Sequence, residues 1–107
     1  MAKGKVESDV LKDCLGYLNL CGIYCWRNNT GAVRVGKRFV RFGKKGSSDI
    51  LGIMPDGKFL AVECKRENGG ILSDDQKEFL QSITDNGGIA IVVNSVESLK
   101  IKLELLE

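Results

Sequence analysis

The sequence predicts an α/β fold: a mixed β-sheet flanked by helices, in the core order α-β-β-β-α-β. Three observations carry this. Apolar residues recur at three- and four-residue spacing from Val6 to about Leu20, the signature of a helix with one buried face. Two short apolar runs flank Pro55-Asp56-Gly57, which is hairpin chemistry. A capped helix opening at Ser73-Asp74-Asp75-Gln76 leads into the unbroken apolar run Ile89 to Val93, a pattern suited to a strand covered on both faces. A helix between two strands implies a right-handed parallel crossover, and the hairpin is antiparallel, so the sheet is mixed. At 107 residues the chain is expected to form one domain, residues 1–107, with a single modest core.

In chain order, the first helix carries Val6, Val10, Cys14, Tyr17, Leu18 and Cys21 on its stripe, with Leu11 and Leu15 beside them. Glu7 lies on or beside that stripe, because Val10, Leu11, Cys14 and Leu18 follow at three, four, seven and eleven residues. Two readings of Glu7 stand at this point: an acid favouring the helix dipole, or a group turned into a site. Gly22 ends the helix, and Ile23 to Arg27 reads as a strand. After the Asn28-Asn29-Thr30-Gly31 turn, Val33 to Val35 and Phe39 to Phe42 form two short segments about Gly36-Lys37. Their alternation offers basic side chains outward while Val33, Val35, Val40 or Phe42 pack inward. Gly43 to Ser48 is small and flexible, able to lie close to a backbone phosphate.

Beyond the central hairpin, Glu67-Asn68-Gly69-Gly70 is a loop, and the capped helix runs to about Thr84 before Gly87-Gly88 stops it. Gln76 has a complete structural explanation in the capping box. From Ser95 the pattern is ambiguous: a capped helix near Val96, or an extended tail with alternating Ile101, Leu103 and Leu105. There are no repeats and no low-complexity segments.

The stretch from Gly46 to Lys65 holds the chemistry. A three-residue Pro55-Asp56-Gly57 loop sets Met54 opposite Lys58, and counting back sets Asp49 opposite Glu63 on one face of the sheet. Glu63 and Lys65 share that face by alternation, and Cys64 points away. A two-residue Asp56-Gly57 turn would instead oppose Asp49 to Cys64 and separate the acids. Two carboxylates joined by the outward Cys64 carbonyl form an oxygen-rich site suited to Mg²⁺ or Mn²⁺. Lys65 is placed to position or deprotonate an attacking water and to offset phosphate charge. A Glu-x-Lys alone is common on solvated hairpins; its weight here comes from the acid on the preceding strand and the basic residues just before it.

Composition narrows the classes further. The chain has no histidine, which removes His-based triads and His-metal sites, so catalysis would run on carboxylates, lysine and a metal ion. Cys14, Cys21, Cys25 and Cys64 show no zinc-site spacing and read as small buried residues in a reducing compartment. No apolar run is long enough for a membrane span, and the Met1 to Lys5 start lacks a signal-peptide core, so the expectation is an intracellular protein without a membrane partner. The net charge of +2 hides a strong asymmetry: Arg27, Arg34, Lys37, Arg38, Arg41, Lys44 and Lys45 occupy 27–48 without a single acid. The remainder carries a net charge of −5. A basic band running into an acidic site suggests a polyanion such as nucleic acid. Arg34, Arg38, Arg41, Lys44 and Lys45, with Ser47 in the flexible loop, are the candidate nucleic-acid contacts. A solvated basic loop would have the same composition.

Gly46-Ser47-Ser48-Asp49-Ile50, Glu63-Cys64-Lys65, the Gly70-Ile71-Leu72-Ser73 to Gln76 segment and Gly88-Ile89-Ala90-Ile91-Val92-Val93 together resemble the PD-(D/E)xK nuclease superfamily. Within it they resemble the VRR-NUC family of virus-type replication-repair nucleases in its minimal stand-alone form. The resemblance covers most of the chain from the first helix to Val93. It implies a restriction-endonuclease-like core and an Mg²⁺- or Mn²⁺-dependent DNA endonuclease. By it, Asp49 and Glu63 bind the metal, the Cys64 carbonyl adds a ligand and Lys65 is the catalytic lysine. Glu7 becomes the first-helix acid near the metal, directly or through water, and Gln76 lies at the site margin. Ser48 departs from the superfamily pattern, which has Pro there; that residue shapes backbone and is not a ligand. Stand-alone members imply a homodimer acting on branched DNA such as four-way junctions, in the cytoplasm of a bacterial or phage-infected cell. The alternatives are a monomeric flap or single-strand nuclease, and a catalytically silent nucleic-acid-binding module.

Overall fold

The computed structural model describes residues 4–106; most of the Met1 to Lys5 start and Glu107 lie outside the described residues. Helix α1 (Glu7–Leu20) is followed by strands β1 (Tyr24–Arg27), β2 (Gly31–Val35), β3 (Arg38–Phe42), β4 (Ile50–Ile53) and β5 (Phe59–Cys64). Helix α2 (Asp74–Asp85), strand β6 (Ile89–Val93) and helix α3 (Val96–Glu104) complete the order. The main sheet runs β1-β4-β5-β6. β1 and β5 are antiparallel to β4, and β6 is parallel to β5. The mixed sheet and the expected core order are thus present, with α2 as the parallel crossover.

β5 is central, which explains why all of Leu60 to Cys64 is buried. Its even-numbered side chains Leu60, Val62 and Cys64 join Val10, Cys14 and Leu18 of α1, Ile91 and Val93 of β6, and Leu99 of α3 in the core. The odd-numbered ones face the other way, toward α2. Leu80 is the buried residue of that helix. The α1 stripe is found as expected at Val10, Leu11, Cys14 and Leu18. Val6 and Cys21 depart from the expectation: they cap the two helix ends and are exposed, whereas Cys14 and Cys64 are buried. Contact with Cys14, then burial, pushes the Cys64 thiol far above its ordinary range.

The β4–β5 turn has the three-residue form. Gly57 donates to the Met54 carbonyl and Met54 to the Lys58 carbonyl, both at 2.8 Å. Gly57 takes φ 91°, a left-handed conformation that side chains resist. The ladder then pairs Ile53 with Phe59 and Ile50 with Val62, so the next position down opposes Asp49 to Glu63.

Two elements differ from expectation. The ambiguous C-terminal segment is a helix: the Ser95 hydroxyl accepts from the Ser98 N–H, and Leu99 is its buried residue. Ile101 and Leu105 are exposed, so the strand-like alternation finds no sheet. The segments at 33–42 form a hairpin, as their spacing suggested, but a separate two-stranded one. Val33, Val35, Val40 and Phe42 do not pack inward; all ten residues of β2 and β3 are exposed. The reason is isolation: β2 and β3 pair only with each other, and no other element of the described residues makes a substantial contact with either. The molecule is correspondingly spread, with extents of 49 × 42 × 24 Å and a radius of gyration of 14.6 Å, against about 13 Å for a compact chain of this length.

Candidate active site

The end of the main sheet where β4 begins and β5 ends gathers the predicted acids. Asp49 immediately precedes β4, Glu63 is the penultimate residue of β5, and Glu7 opens α1. Carboxylate oxygens of Glu7, Asp49 and Glu63 lie within 4.8 Å of one another. Glu7 is exposed, rather than on the buried stripe, and Glu63 is only 1% exposed. Asp49 accepts from the Cys64 N–H at 2.8 Å. N–H and C=O of one strand residue leave on the same side, so the Cys64 carbonyl also points toward the acids.

Gln76 ties this cluster to Lys65. Its Nε2 donates to Glu63 Oε1 at 3.0 Å, and its Oε1 accepts from Lys65 Nζ at 2.8 Å. The same oxygen accepts from the Ser73 N–H, and the Ser73 hydroxyl accepts from the Gln76 N–H. One amide thus completes the cap of α2 and bridges the acid to the lysine. Lys65 Nζ stands 3.8 Å from Glu63 Oε1, with both side chains nearly buried. Gly70 makes room for this lysine: a Cβ there would come within 2.6 Å of the Lys65 Cβ.

Burial raises the Glu63 carboxyl from its ordinary 4.5 to about 8; the nearby Asp49 charge adds to the rise and Lys65 offsets part of it. Glu63 Oε2 is buried without a hydrogen-bond partner. A buried carboxylate oxygen with no donor, facing two further acids, is a poor arrangement by itself and a good one around a hard cation. Asp49, Glu63, Glu7 and the Cys64 carbonyl thus fit an oxygen-coordinated divalent ion. A groove of about 210 Å³ beside the cluster is lined by Glu7, Lys65, Arg66, Gly69, Gly70 and Ile71. A larger concavity, about 650 Å³, lies instead along α2 between Lys44, Lys45, Phe59, Phe79 and Ile83, and holds none of the three clustered acids.

The basic residues do not form one surface. Arg34 and Arg41 share one face of the β2–β3 hairpin and Arg38 lies on the other, since cross-strand partners share a face. Lys44 and Lys45 line the large groove, and Lys45 pairs with Asp75 at 3.3 Å. The Ser47 hydroxyl is engaged within the chain, donating to the Lys44 carbonyl and accepting from Asn28 Nδ2 at 2.7 Å. Two contributors were not singled out from sequence. Asn28 also donates to the Ser48 carbonyl, and its N–H to the Asp49 carbonyl at 2.7 Å, so it holds the loop that delivers Asp49. Its only sequence signal was an ordinary turn. Arg66 extends the groove beside Lys65, and adjacency to the Glu-x-Lys was its only signal.

An α helix, a mixed sheet with acids where a hairpin opens, and a second helix supplying an amide to the lysine define a restriction-endonuclease-like core. A family model for the VRR-NUC domain matches residues 25–97, and the chain belongs to that family. It is accordingly a nuclease of the PD-(D/E)xK type, acting on DNA, a class that uses divalent metals. Asp49, Glu63, Lys65 and Gln76 fall inside the matched span, and Glu7 outside it. A search of curated proteins returned no significant match. No helix among the described residues is long and apolar enough to cross a membrane.

Proposed function

We propose that the chain is an Mg²⁺- or Mn²⁺-dependent DNA endonuclease, specific for branched DNA such as four-way junctions and acting as a homodimer. The observation that carries the hydrolytic reading is the Glu7, Asp49 and Glu63 cluster with its orphaned Glu63 oxygen, set beside a lysine held by Gln76. A divalent ion bound by the acids would supply Lewis-acid polarisation of the scissile phosphate and a more acidic water. The chain's own groups do the rest. Lys65, anchored by Gln76 and Glu63, presents its ammonium toward the groove, where it offsets phosphate charge and orients the attacking water. Glu63 must shed its proton before it can ligate, so its burial links ion binding to proton release.

Dimerisation is supported by the hairpin. A two-stranded sheet is marginal in water, and Val33, Val35, Val40 and Phe42 leave one of its faces largely apolar and exposed, with Arg38 as its one charge. A second copy laid on that face would cover it, and two active sites suit a substrate with two strands to cut. The test is cleavage of four-way, flapped, single-stranded and linear DNA across an Mg²⁺ and Mn²⁺ titration, alongside solution mass. Junction cutting by a dimer is expected. Flap or single-strand cutting by a monomer would overturn the substrate reading, and binding without cleavage at saturating Mn²⁺ would overturn the enzymatic one.

A further inference from the structure

The second face of the hairpin differs from the first. Register places Ala32, Arg34, Phe39 and Arg41 on it, with Arg34 directly opposite Phe39 and Ala32 opposite Arg41. Phe39 is 70% exposed. The Arg34 guanidinium carbon stands 5.3 Å from the Phe39 ring centroid, within cation–π range. No acid lies between Arg27 and Ser48. Two arginines on opposite corners, an exposed ring and a small Ala32 that leaves space beside it make a surface for a flat, apolar group carried on an anionic chain.

We propose that this face binds an unpaired nucleobase of the DNA substrate, stacked on Phe39, with Arg34 and Arg41 on the flanking phosphates. The inference rests on the reading of the chain as an enzyme of branched DNA. In an unbroken duplex each base is stacked on both sides, so a protein ring finds a free base surface only at a bulge, flap, branch or extruded nucleotide. A phenyl ring has no hydrogen-bonding group, so recognition would be tolerant of sequence and selective for interrupted structure. The opposite face carries one arginine, Arg38, among Val33, Val35 and Val40, and its ring, Phe42, lies over Gly31 and is less exposed than Phe39.

The experiment uses the full chain in Ca²⁺ or EDTA, with binding read by anisotropy on a fully paired duplex and on the same duplex carrying unpaired 2-aminopurine. Wild-type protein is expected to prefer the interrupted DNA and to change the 2-aminopurine fluorescence. Phe39→Ala should weaken that binding about ten-fold, the scale of one stacked base, with duplex affinity held within about two-fold. Phe39→Trp should restore both signals, and Phe39→Leu, of similar bulk without a π face, should not. Phe39 lies outside the core, so thermal melts of all variants should agree. Interrupted-DNA binding unchanged by Phe39→Ala overturns the inference, as does an equal loss on both DNAs. A drop in solution mass with that variant would also overturn it, by assigning the ring to a protein contact. Wild-type protein that binds neither DNA would instead overturn the proposed function itself.

Discussion

Asp49 accepts a hydrogen bond from the backbone N–H of Cys64 at 2.8 Å, so the acid that precedes β4 is anchored to the residue between Glu63 and Lys65. The bond spans the open end of the hairpin and sets the two acids at a defined separation. Asp49→Asn keeps an acceptor for Cys64 and removes only the charge. It is expected to fold with wild-type stability and to lose cleavage as completely as Lys65→Ala, which should fall by roughly 10²–10⁴-fold. Single-turnover cleavage in Mn²⁺, read beside a thermal melt, checks this; wild-type rates from either variant would remove these residues from the mechanism.

Glu63 makes the stability of the metal-free protein depend on pH. Its folded pKa is about 8 against an ordinary 4.5, so over that window the folded protein holds a proton that the unfolded chain releases. Its contribution to stability is full below about pH 4.5 and is lost as pH rises through about 8. Glu63→Gln keeps the oxygen that accepts from Gln76 and cannot ionise. Its melting temperature should be flatter with pH and, at pH 8, roughly 4–8 °C above wild type in EDTA. Adding Mn²⁺ should raise the wild-type melt at pH 8 more than at pH 5 and leave Glu63→Gln nearly unmoved.

The double role of Gln76 can be separated. Ser73→Ala removes the cap hydroxyl and should cost about 1 kcal/mol of stability with little change in cleavage rate below the melt. Gln76→Ala keeps the Ser73 hydroxyl bond, which its backbone N–H donates, and loses the return bond from the Ser73 N–H together with the bridge between Glu63 and Lys65, so it should lose no more stability than Ser73→Ala but about ten-fold or more in rate. Equal rates for the two variants would show that the bridge does not position Lys65.

The exposed apolar face of the hairpin gives a prediction about assembly. Val40→Asp places a charge opposite Val33 on the face offered to a second copy. Because Val40 is exposed within one chain, the monomer fold should survive while sedimentation shows the mass halved. An unchanged mass would move the dimer contact elsewhere or remove it.

What was legible from residues alone was the local chemistry. Pro55-Asp56-Gly57 located the hairpin and reduced its register to two choices, because turn length dictates pairing and pairing dictates faces. The cap at Ser73, the α1 stripe and the strand Ile89 to Val93 were readable for the same reason: each depends on neighbours a few residues away; the strand's place at the sheet edge, which leaves only Ile91 and Val93 buried, was not. Asn28 was not legible, since its partners Ser47 and Ser48 lie about twenty residues on. Neither was the exposure of Val33 and Val40, for alternation shows which side chains share a face and not what covers it.

Chain chemistry thus put Asp49, Glu63 and Lys65 on one face for a three-residue turn and parted the acids for a two-residue one; the Met54 to Lys58 closure of the folded hairpin decided between them. Assembly in three dimensions settled what surrounds them. It brought Glu7 to the acids from an element 42 positions away in sequence from Asp49, left Glu63 Oε2 buried without a donor, and gave the Gln76 amide two further partners. Each of these depends on how helices pack over a sheet end, a long-range outcome of burial that no local pattern encodes.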